Sequence, residues 1–157
     1  MIKLFRVDDR LVHGQVATKW VSRSNANKIY IVDDEVAANS VLVGISKQLA
    51  PRGTSVDVIT VQRAIELLPK VEAHPQYRAL IIVKVPRTIL LLVEGGVKVD
   101  RLIVGGIQRN EMRQKFYRNI YASAQEREDM RCLMEKGVDV VCQATPEDAA
   151  VNVRTLL

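Results

Sequence analysis

Short apolar segments alternate with segments of helical periodicity along almost the whole chain. Runs of apolar or alternating residues bounded by turns predict strands at 2–7, 28–32, 55–59, 79–83, 101–105, 116–122 and 138–143. Apolar residues at helical spacing predict helices at 14–22, 35–49, 61–68, 86–94, 123–136 and 145–157. Such alternation is typical of a mostly parallel sheet with helices on both faces. The 157 residues therefore predict a single α/β domain, 1–157, with a mostly parallel β-sheet of about seven strands.

Local signals accompany several of these predicted helices. Ser123 and Glu126 have the spacing of a capping box, Pro86 occupies a favoured first-turn position, and Thr145 is placed to cap the last helix. One side of the helix predicted at 35–49 is apolar and carries Val41, Leu42, Ile45 and Leu49.

Composition and charge argue against several classes of protein. The longest apolar run, "TILLLVEGG", is much shorter than the roughly 20 residues that cross a bilayer, and no secretion signal is visible. The net charge is +5, but aromatic residues are only 4% and are not interleaved with a basic block, which argues against nucleic-acid binding. Cys132 and Cys142 form no CxxC motif and are expected to be free thiols of a cytoplasmic protein.

Several polar or flexible residues follow directly after predicted strands. In a parallel sheet the carboxyl ends of the strands meet at one edge, and ligands bind outside that edge. The sequence therefore predicts a functional edge formed by His13, Asp33, Asp34, Lys84 and the Gly105–Gly106 pair.

The densest group of charged residues is "RVDDRLVHGQV", residues 6 to 16, where the first strand gives way to a helix. A metal site is not indicated, because the only other histidine, His74, has no ligand spacing to His13. A serine triad is not indicated either, because no GxSxG motif is present. The remaining chemistry is His13 itself as a nucleophile toward phosphorus.

The neighbours of His13 fit the needs of a phosphorylated histidine. Arg6 and Arg10 are suited to hold phosphoryl oxygens, and Gly14 lets the backbone come close. The helix that begins near Gly14 would aim its positive end at the same place. Asp8 or Asp9 could accept a hydrogen bond from one ring nitrogen and leave the other free.

The segment closely resembles the R-x-D-x-R-L-x-H-G-Q-V signature of the IIB components of the mannose/fructose/sorbose class of bacterial sugar phosphotransferase systems. The resemblance continues in Trp20 and in the runs "VDDEVA", "LVEGGV" and "VGGI". It implies that His13 accepts a phosphoryl group, at Nδ1, from a phosphohistidine of the IIA component. The group then passes to a sugar held by the membrane components IIC and IID. The residues that match the phosphorylation loop are Arg6, Asp8, Arg10, Gly14 and Gln15.

The resemblance also implies a cytoplasmic protein that associates with the membrane through IIC and IID and needs no metal or organic cofactor. One departure from the family pattern is Val85, where Thr or Asn often precedes Pro86. Val85 can neither cap the following helix nor bind phosphate through its side chain, which leaves Lys84 as a candidate phosphate-binding cation. Asp33 and Asp34 are expected to cap a helix, because their charge would repel phosphate.

A basic segment, "QRNEMRQKFYR" at 108–118, begins at the predicted functional edge. It carries four cations, Arg109, Arg113, Lys115 and Arg118, against Glu111 alone. One interpretation is a docking surface for IIA, in which Arg109, Arg113 and Lys115 attract the negative phosphohistidine. The other is a solvated loop and strand.

A non-catalytic phosphate- or nucleotide-binding regulatory module on the same edge is the alternative function. Neither GxGxxG nor a P-loop supports it. The sequence names neither the transported sugar nor the oligomeric state.

Overall fold

The fold is described by a computed structural model that covers residues 1–157. Nine strands are present, of which seven form the main sheet. Their bounds are β1 Ile2–Asp8, β2 Lys28–Val32, β3 Ser55–Ile59, β4 Ala79–Val83, β5 Arg101–Gly106, β6 Gln114–Tyr117, β7 Ile120–Ala122, β8 Asp139–Cys142 and β9 Val151–Asn152. The helices are α1 Gly14–Ser24, α2 Asp34–Ala37, α3 Ser40–Gln48, α4 Val61–Glu72, α5 Pro86–Glu94 and α6 Ala124–Glu135, and a 3-10 turn covers Val153–Thr155.

The main sheet has the strand order β3-β2-β4-β1-β5-β8-β9. Every pair in it is parallel except β8 with the short β9. The predicted fold class is therefore confirmed. Strand β1 lies between β4 and β5, so the loop that follows β1 is at the middle of the carboxyl edge.

Two apolar clusters hold the layers together, one on each face of the sheet. Alternate strand residues point to opposite faces, so Ile81 joins one cluster while Leu80 and Ile82 join the other. The larger cluster has 26 buried residues and receives α4, α5 and α6, whereas the smaller has 12 and receives α1. Because strands inside such a sheet are covered on both faces, their sequences are mostly apolar.

Three predicted elements differ from the structure. The strand predicted at 116–122 is a hairpin, β6–β7, because Arg118 adopts a left-handed φ of 47° and reverses the chain. The helix predicted at 145–157 is wrong. Thr145 instead closes a turn on Asp148 through two bonds of 2.9 Å, and the segment ends in β9 and a 3-10 turn.

The helix predicted at 35–49 is two helices, α2 and α3. The break comes at Asn39, whose side chain accepts from the amides of Val41 and Leu42 and so begins a new helix. Asp33 caps α2, as expected, and the predicted capping box of Ser123 and Glu126 is confirmed at α6. No helix has the length and apolar character needed to cross a membrane.

Candidate functional site

His13 lies at the carboxyl edge of the sheet, immediately before α1. It is the N-cap residue of that helix, with an extended backbone, but its side chain makes no capping bond. The first-turn amides of α1 are therefore left without a side-chain acceptor. The preceding loop turns tightly, since the Leu11 amide donates to the Asp8 carbonyl over 2.9 Å and Leu11 has a φ of 61°. Gly14 also has a positive φ, 45°, which a residue without a Cβ adopts readily.

The imidazole of His13 is held by Asp8. Its Nε2 lies 3.2 Å from Asp8 Oδ2, and its Nδ1 has no partner within the protein. Asp8 is 1% exposed, whereas a quarter of the His13 side chain is exposed. A carboxylate can only accept, so Nε2 carries the proton and Nδ1 keeps its lone pair. The geometry therefore leaves Nδ1 without a partner and with its lone pair available.

Asp8 stays ionised because cations surround it. Burial alone would raise the pKa of Asp8, but a hydrogen bond from Arg10, the charge of Arg6 and the contact with His13 together lower it below the ordinary 3.8. Arg10 donates to Oδ1 from its amide and its Nε, both at 3.2 Å. Its side chain is still 44% exposed, so Arg10 is a cation beside His13 with N–H groups left for an anion.

Arg6 does not lie where the sequence placed it. It was predicted to hold phosphoryl oxygens, but it is only 3% exposed. Its guanidinium donates to the carbonyls of Gln143 (2.9 Å) and Ala144 (2.8 Å) and to Asp8 (3.4 Å). Burial lowers the pKa of Arg6 to about 10, against the opposing effect of Asp8. Arg6 thus holds the buried carboxylate of Asp8 and fixes the loop after β8.

The packing around Arg6 explains the glycine at the end of β5. The guanidinium lies 5.1 Å from the ring centre of Trp20, whose Nε1 donates to the Ala144 carbonyl over 3.0 Å. On its other side is Gly105, where an added Cβ would overlap the guanidinium itself. Gly105 is thus required for close approach, not for turn formation.

We expect Gly105→Ala to destabilise the protein by about 2–3 kcal/mol, because the new methyl group forces Arg6 out of a packed site. Urea denaturation measures the change in the free energy of unfolding. Gly44→Ala, compared at micromolar protein concentration, is the matched control and should not lower the free energy of unfolding, because a Cβ there meets no atom of its own chain within 4 Å. Equal stabilities of the Gly105→Ala and wild-type proteins would show that Arg6 has room to move.

A second ion-pair network, which was not predicted from the sequence, connects the His13 loop to the basic segment at 108–118. Asp9 Oδ2 accepts from the Gln108 amide (2.8 Å) and from Arg113 Nη1 (3.2 Å). Arg113 also grips Glu126 with bonds of 2.7 and 3.0 Å. Although burial opposes it, pairing with Glu126 and Asp9 raises the pKa of Arg113. The only signal in the sequence was the second aspartate of the Asp8–Asp9 pair.

Arg113 is therefore not one of the exposed cations of the basic segment, contrary to prediction. Its side chain is 12% exposed, and both ends of its guanidinium are occupied. Arg109 and Lys115 are exposed, as a docking surface requires. The segment as a whole is joined to the His13 loop through Asp9.

The remaining predicted residues are distributed around the same edge. Gln15 is exposed in the first turn of α1. Lys84 follows β4, the neighbour of β1, and is half-buried without a hydrogen bond or ion pair to the protein. Val85 is the N-cap of α5 and contributes no capping bond, so that helix also begins with open amides.

His74 lies at the opposite edge of the sheet, where its carbonyl accepts from the amino terminus over 2.9 Å. It shares no cluster with His13. No group of three or more His, Cys, Asp or Glu side chains is arranged to hold a metal ion.

The chain is similar to known proteins over almost its whole length. Residues 2–157 match the family model described as the PTS system sorbose subfamily IIB component. The N-acetylgalactosamine-specific phosphotransferase enzyme IIB component 1 of Escherichia coli (strain K12) is 33% identical over 94% of this chain and 92% of its own. The mannose-specific EIIAB component of the same organism is 31% identical over the whole chain, which spans only 48% of that longer relative.

Solved structures give the same result. The IIBSor domain of the sorbose permease from Klebsiella pneumoniae has a TM-score of 0.89 at 29% identity, covering 98% of this chain and 93% of that one. The E. coli N-acetylgalactosamine-specific IIB component 1 has a TM-score of 0.87 at 32% identity, covering 96% and 98%. The family match over residues 2–157, together with a relative that is 33% identical over 94% of the chain, shows that the protein belongs to the sorbose subfamily of IIB components of the sugar phosphotransferase system.

Proposed function

We propose that His13 carries a phosphoryl group on Nδ1, taking it from a phosphohistidine of IIA and giving it to a sugar held by the membrane components IIC and IID. The observation that carries this proposal is the contact of 3.2 Å between His13 Nε2 and the buried carboxylate of Asp8. It leaves Nδ1 unpartnered on a side chain that is one quarter exposed at the functional edge. On this proposal the protein works at the cytoplasmic side of the membrane, docked to IIC and IID and without a cofactor.

The chemistry is an exchange of one N–P bond for another. The lone pair of Nδ1 attacks phosphorus, the bond to the IIA imidazole breaks, and that imidazole keeps the bonding electrons. The His13 ring, which retains its Nε2 proton, becomes positively charged as the new bond forms. The Asp8 carboxylate stabilises this charge. Keeping the proton also makes the ring a better leaving group when a sugar hydroxyl attacks the phosphorus.

The phosphoryl oxygens need donors of their own, and the functional edge offers three sources. The open amides of the first turn of α1 provide N–H groups at the positive end of a helix. Arg10 provides exposed N–H groups and a permanent charge. Lys84, with no partner in the protein, provides a second cation from the neighbouring strand. Arg6 takes no direct part and acts by holding Asp8.

Incubation with phosphorylated IIA tests the proposal. Intact mass spectrometry should show one added phosphoryl group that is labile in acid, and ¹⁵N NMR should assign it to Nδ1 of His13. Reversible binding of phosphate or nucleotide without a covalent adduct would instead favour the regulatory module.

We also propose that the exposed cations of the basic segment receive IIA. We expect Arg109→Glu combined with Lys115→Glu to slow transfer about tenfold at low salt and to flatten its salt dependence. The reason is that charge attraction acts on association and is screened beyond a Debye length of roughly 8–10 Å. Quench-flow under second-order conditions at several salt concentrations measures both effects.

A matched reversal tests whether the effect is local. Lys98 and Lys136 are exposed and follow α5 and α6 at the amino edge of the sheet, so Lys98→Glu combined with Lys136→Glu makes the same change in net charge without touching the functional edge. It should leave the rate nearly unchanged. If the double reversal transfers as fast as wild type with the same salt slope, IIA docks elsewhere on the functional edge.

A further inference from the structure

The apolar side that was predicted for the helix at 35–49 is exposed on α3. Val41 is 67% exposed, Leu42 41%, Ile45 47% and Leu49 51%. None of the four belongs to either apolar cluster of the core, and the only buried residue of the helix is Ser46. Amphipathic helices normally turn such a stripe toward the core, whereas α3 turns it to the outside. We name these four residues the α3 face.

The α3 face lies at one side of the sheet. Helix α3 packs against β3, which is the outermost strand and has no neighbour on its other side. Strands β2 and β4 separate β3 from β1, so the face is about 14 Å or more to the side of the strand that leads to His13. A molecule that covers the α3 face would therefore leave the functional edge open.

We propose that the α3 face binds the α3 face of a second copy of this chain, as a symmetric dimer. The proposal is independent of the phosphoryl-transfer function. The exposed apolar area of the α3 face is large enough for the binding of a second copy. Four aliphatic side chains exposed by about half offer on the order of 400 Å² of apolar surface. Two such faces supply about 800 Å², which is the apolar share of an interface of roughly 1,300 Å², within the standard range for stable pairs.

The pattern of the face is also self-complementary. Val41, Ile45 and Leu49 are spaced four residues apart and form one ridge, the kind that packs most often between helices. Ile45 is the midpoint of the ridge. A two-fold axis beside Ile45 therefore sets it against its own copy and sets Val41 against Leu49 in an antiparallel pair. Gly44 adjoins this ridge, and a Cβ there would meet no atom of its own chain, so a second helix can approach closely.

Charge supports the same antiparallel arrangement. Glu35 lies in α2, just before α3, and Arg52 lies beyond its other end. Both are exposed, and neither has an ion-pair partner within the chain. An antiparallel pair of α3 helices brings Glu35 of one copy toward Arg52 of the other. A parallel pair would instead set like charges side by side.

Analytical ultracentrifugation from about 1 µM to about 1 mM tests the dimer. The wild-type mass should rise from one chain to two across this range. Ile45→Glu places two carboxylates at the axis and should raise the dissociation constant at least tenfold, whereas Leu91→Glu, on α5 at a residue 39% exposed, should not change it. Circular dichroism should show that both variants are folded, since both residues are exposed.

Cross-linking gives an independent readout. In a Cys132→Ser background, Ile45→Cys should form a disulfide between copies on mild oxidation, and Leu91→Cys should not. A wild-type protein that stays a monomer at every concentration, with no cross-link at Ile45→Cys, would overturn the proposal. So would an Ile45→Glu variant that keeps the wild-type mass but loses transfer to or from another component, because the face would then serve that component.

Discussion

Replacing His13 by alanine is expected to abolish phosphorylation by IIA completely, because Nδ1 of His13 is the proposed acceptor atom and alanine has none. The substitution removes a ring that is one quarter exposed and only one of several partners of Asp8. The fold should therefore survive, with a cost of about 1 kcal/mol. Intact mass spectrometry after incubation with phosphorylated IIA measures the loss, and thermal unfolding confirms that the variant is folded.

His74→Ala is the matched control, since the protein has two histidines and this one lies at the opposite edge of the sheet. The His74 ring contacts the Lys70 carbonyl over 2.7 Å and is not near the functional edge. This variant should accept one phosphoryl group at the wild-type rate. A stable adduct on the His13→Ala protein would show that another group is the acceptor.

The parallel strands of the main sheet are predictable because each is short and mostly apolar. The structure of the carboxyl-terminal segment is not predictable in this way, because it depends on a few polar contacts. The segment after Thr145 has a helix-cap sequence, but Asp148 uses both of its bonds to close a turn, and β8 then recruits Val151 and Asn152 as an antiparallel edge. The periodicity of apolar residues does not show which of the competing local and long-range hydrogen-bond partners is used.

The sequence predicts which residues gather near His13, but it does not predict which of them are buried or already paired. Sequence places Arg6, Asp8, Arg10 and His13 together because they share one short loop. Arg6, however, lies on β1, and its burial depends on Gly105 and on two carbonyls of the loop after β8. Likewise, Arg113 is withdrawn from the basic segment by Glu126, thirteen positions along the chain. Long-range partners of this kind have no spacing signature.

The burial of Asp8 between cations and His13 has a consequence for both rate and stability. We expect Asp8→Asn to slow phosphoryl transfer by about 10²–10⁴-fold, by comparison with Asp→Asn changes in histidine triads. An asparagine amide can donate to Nε2, which then accepts and moves the ring proton to Nδ1. The acceptor lone pair is thereby lost, although the side chain keeps its shape. ¹⁵N NMR of the imidazole distinguishes the two tautomers, and quench-flow measures the rate.

The same substitution should lower the free energy of unfolding by about 3 kcal/mol near pH 7, because buried Arg6 loses its counter-charge. The pKa of Asp8 is lower in the folded protein than its ordinary 3.8. Its ionised form therefore stabilises the fold above about pH 4, and this contribution disappears as pH falls through the folded pKa. The stability difference between wild type and Asp8→Asn should accordingly shrink below pH 4.

Asp57→Asn provides the comparison, since Asp57 pairs with Lys28 in β2 and is 45% exposed. It should change neither the tautomer nor the transfer rate, and its effect on stability should be small because an exposed ion pair contributes about 0–1 kcal/mol. Two results would contradict the role given to Asp8. One is wild-type transfer by Asp8→Asn, and the other is a stability difference that does not depend on pH. The first would mean that His13 is oriented by the backbone of its loop and by α1 alone. The second would mean that the charge of Asp8 does not stabilise the fold.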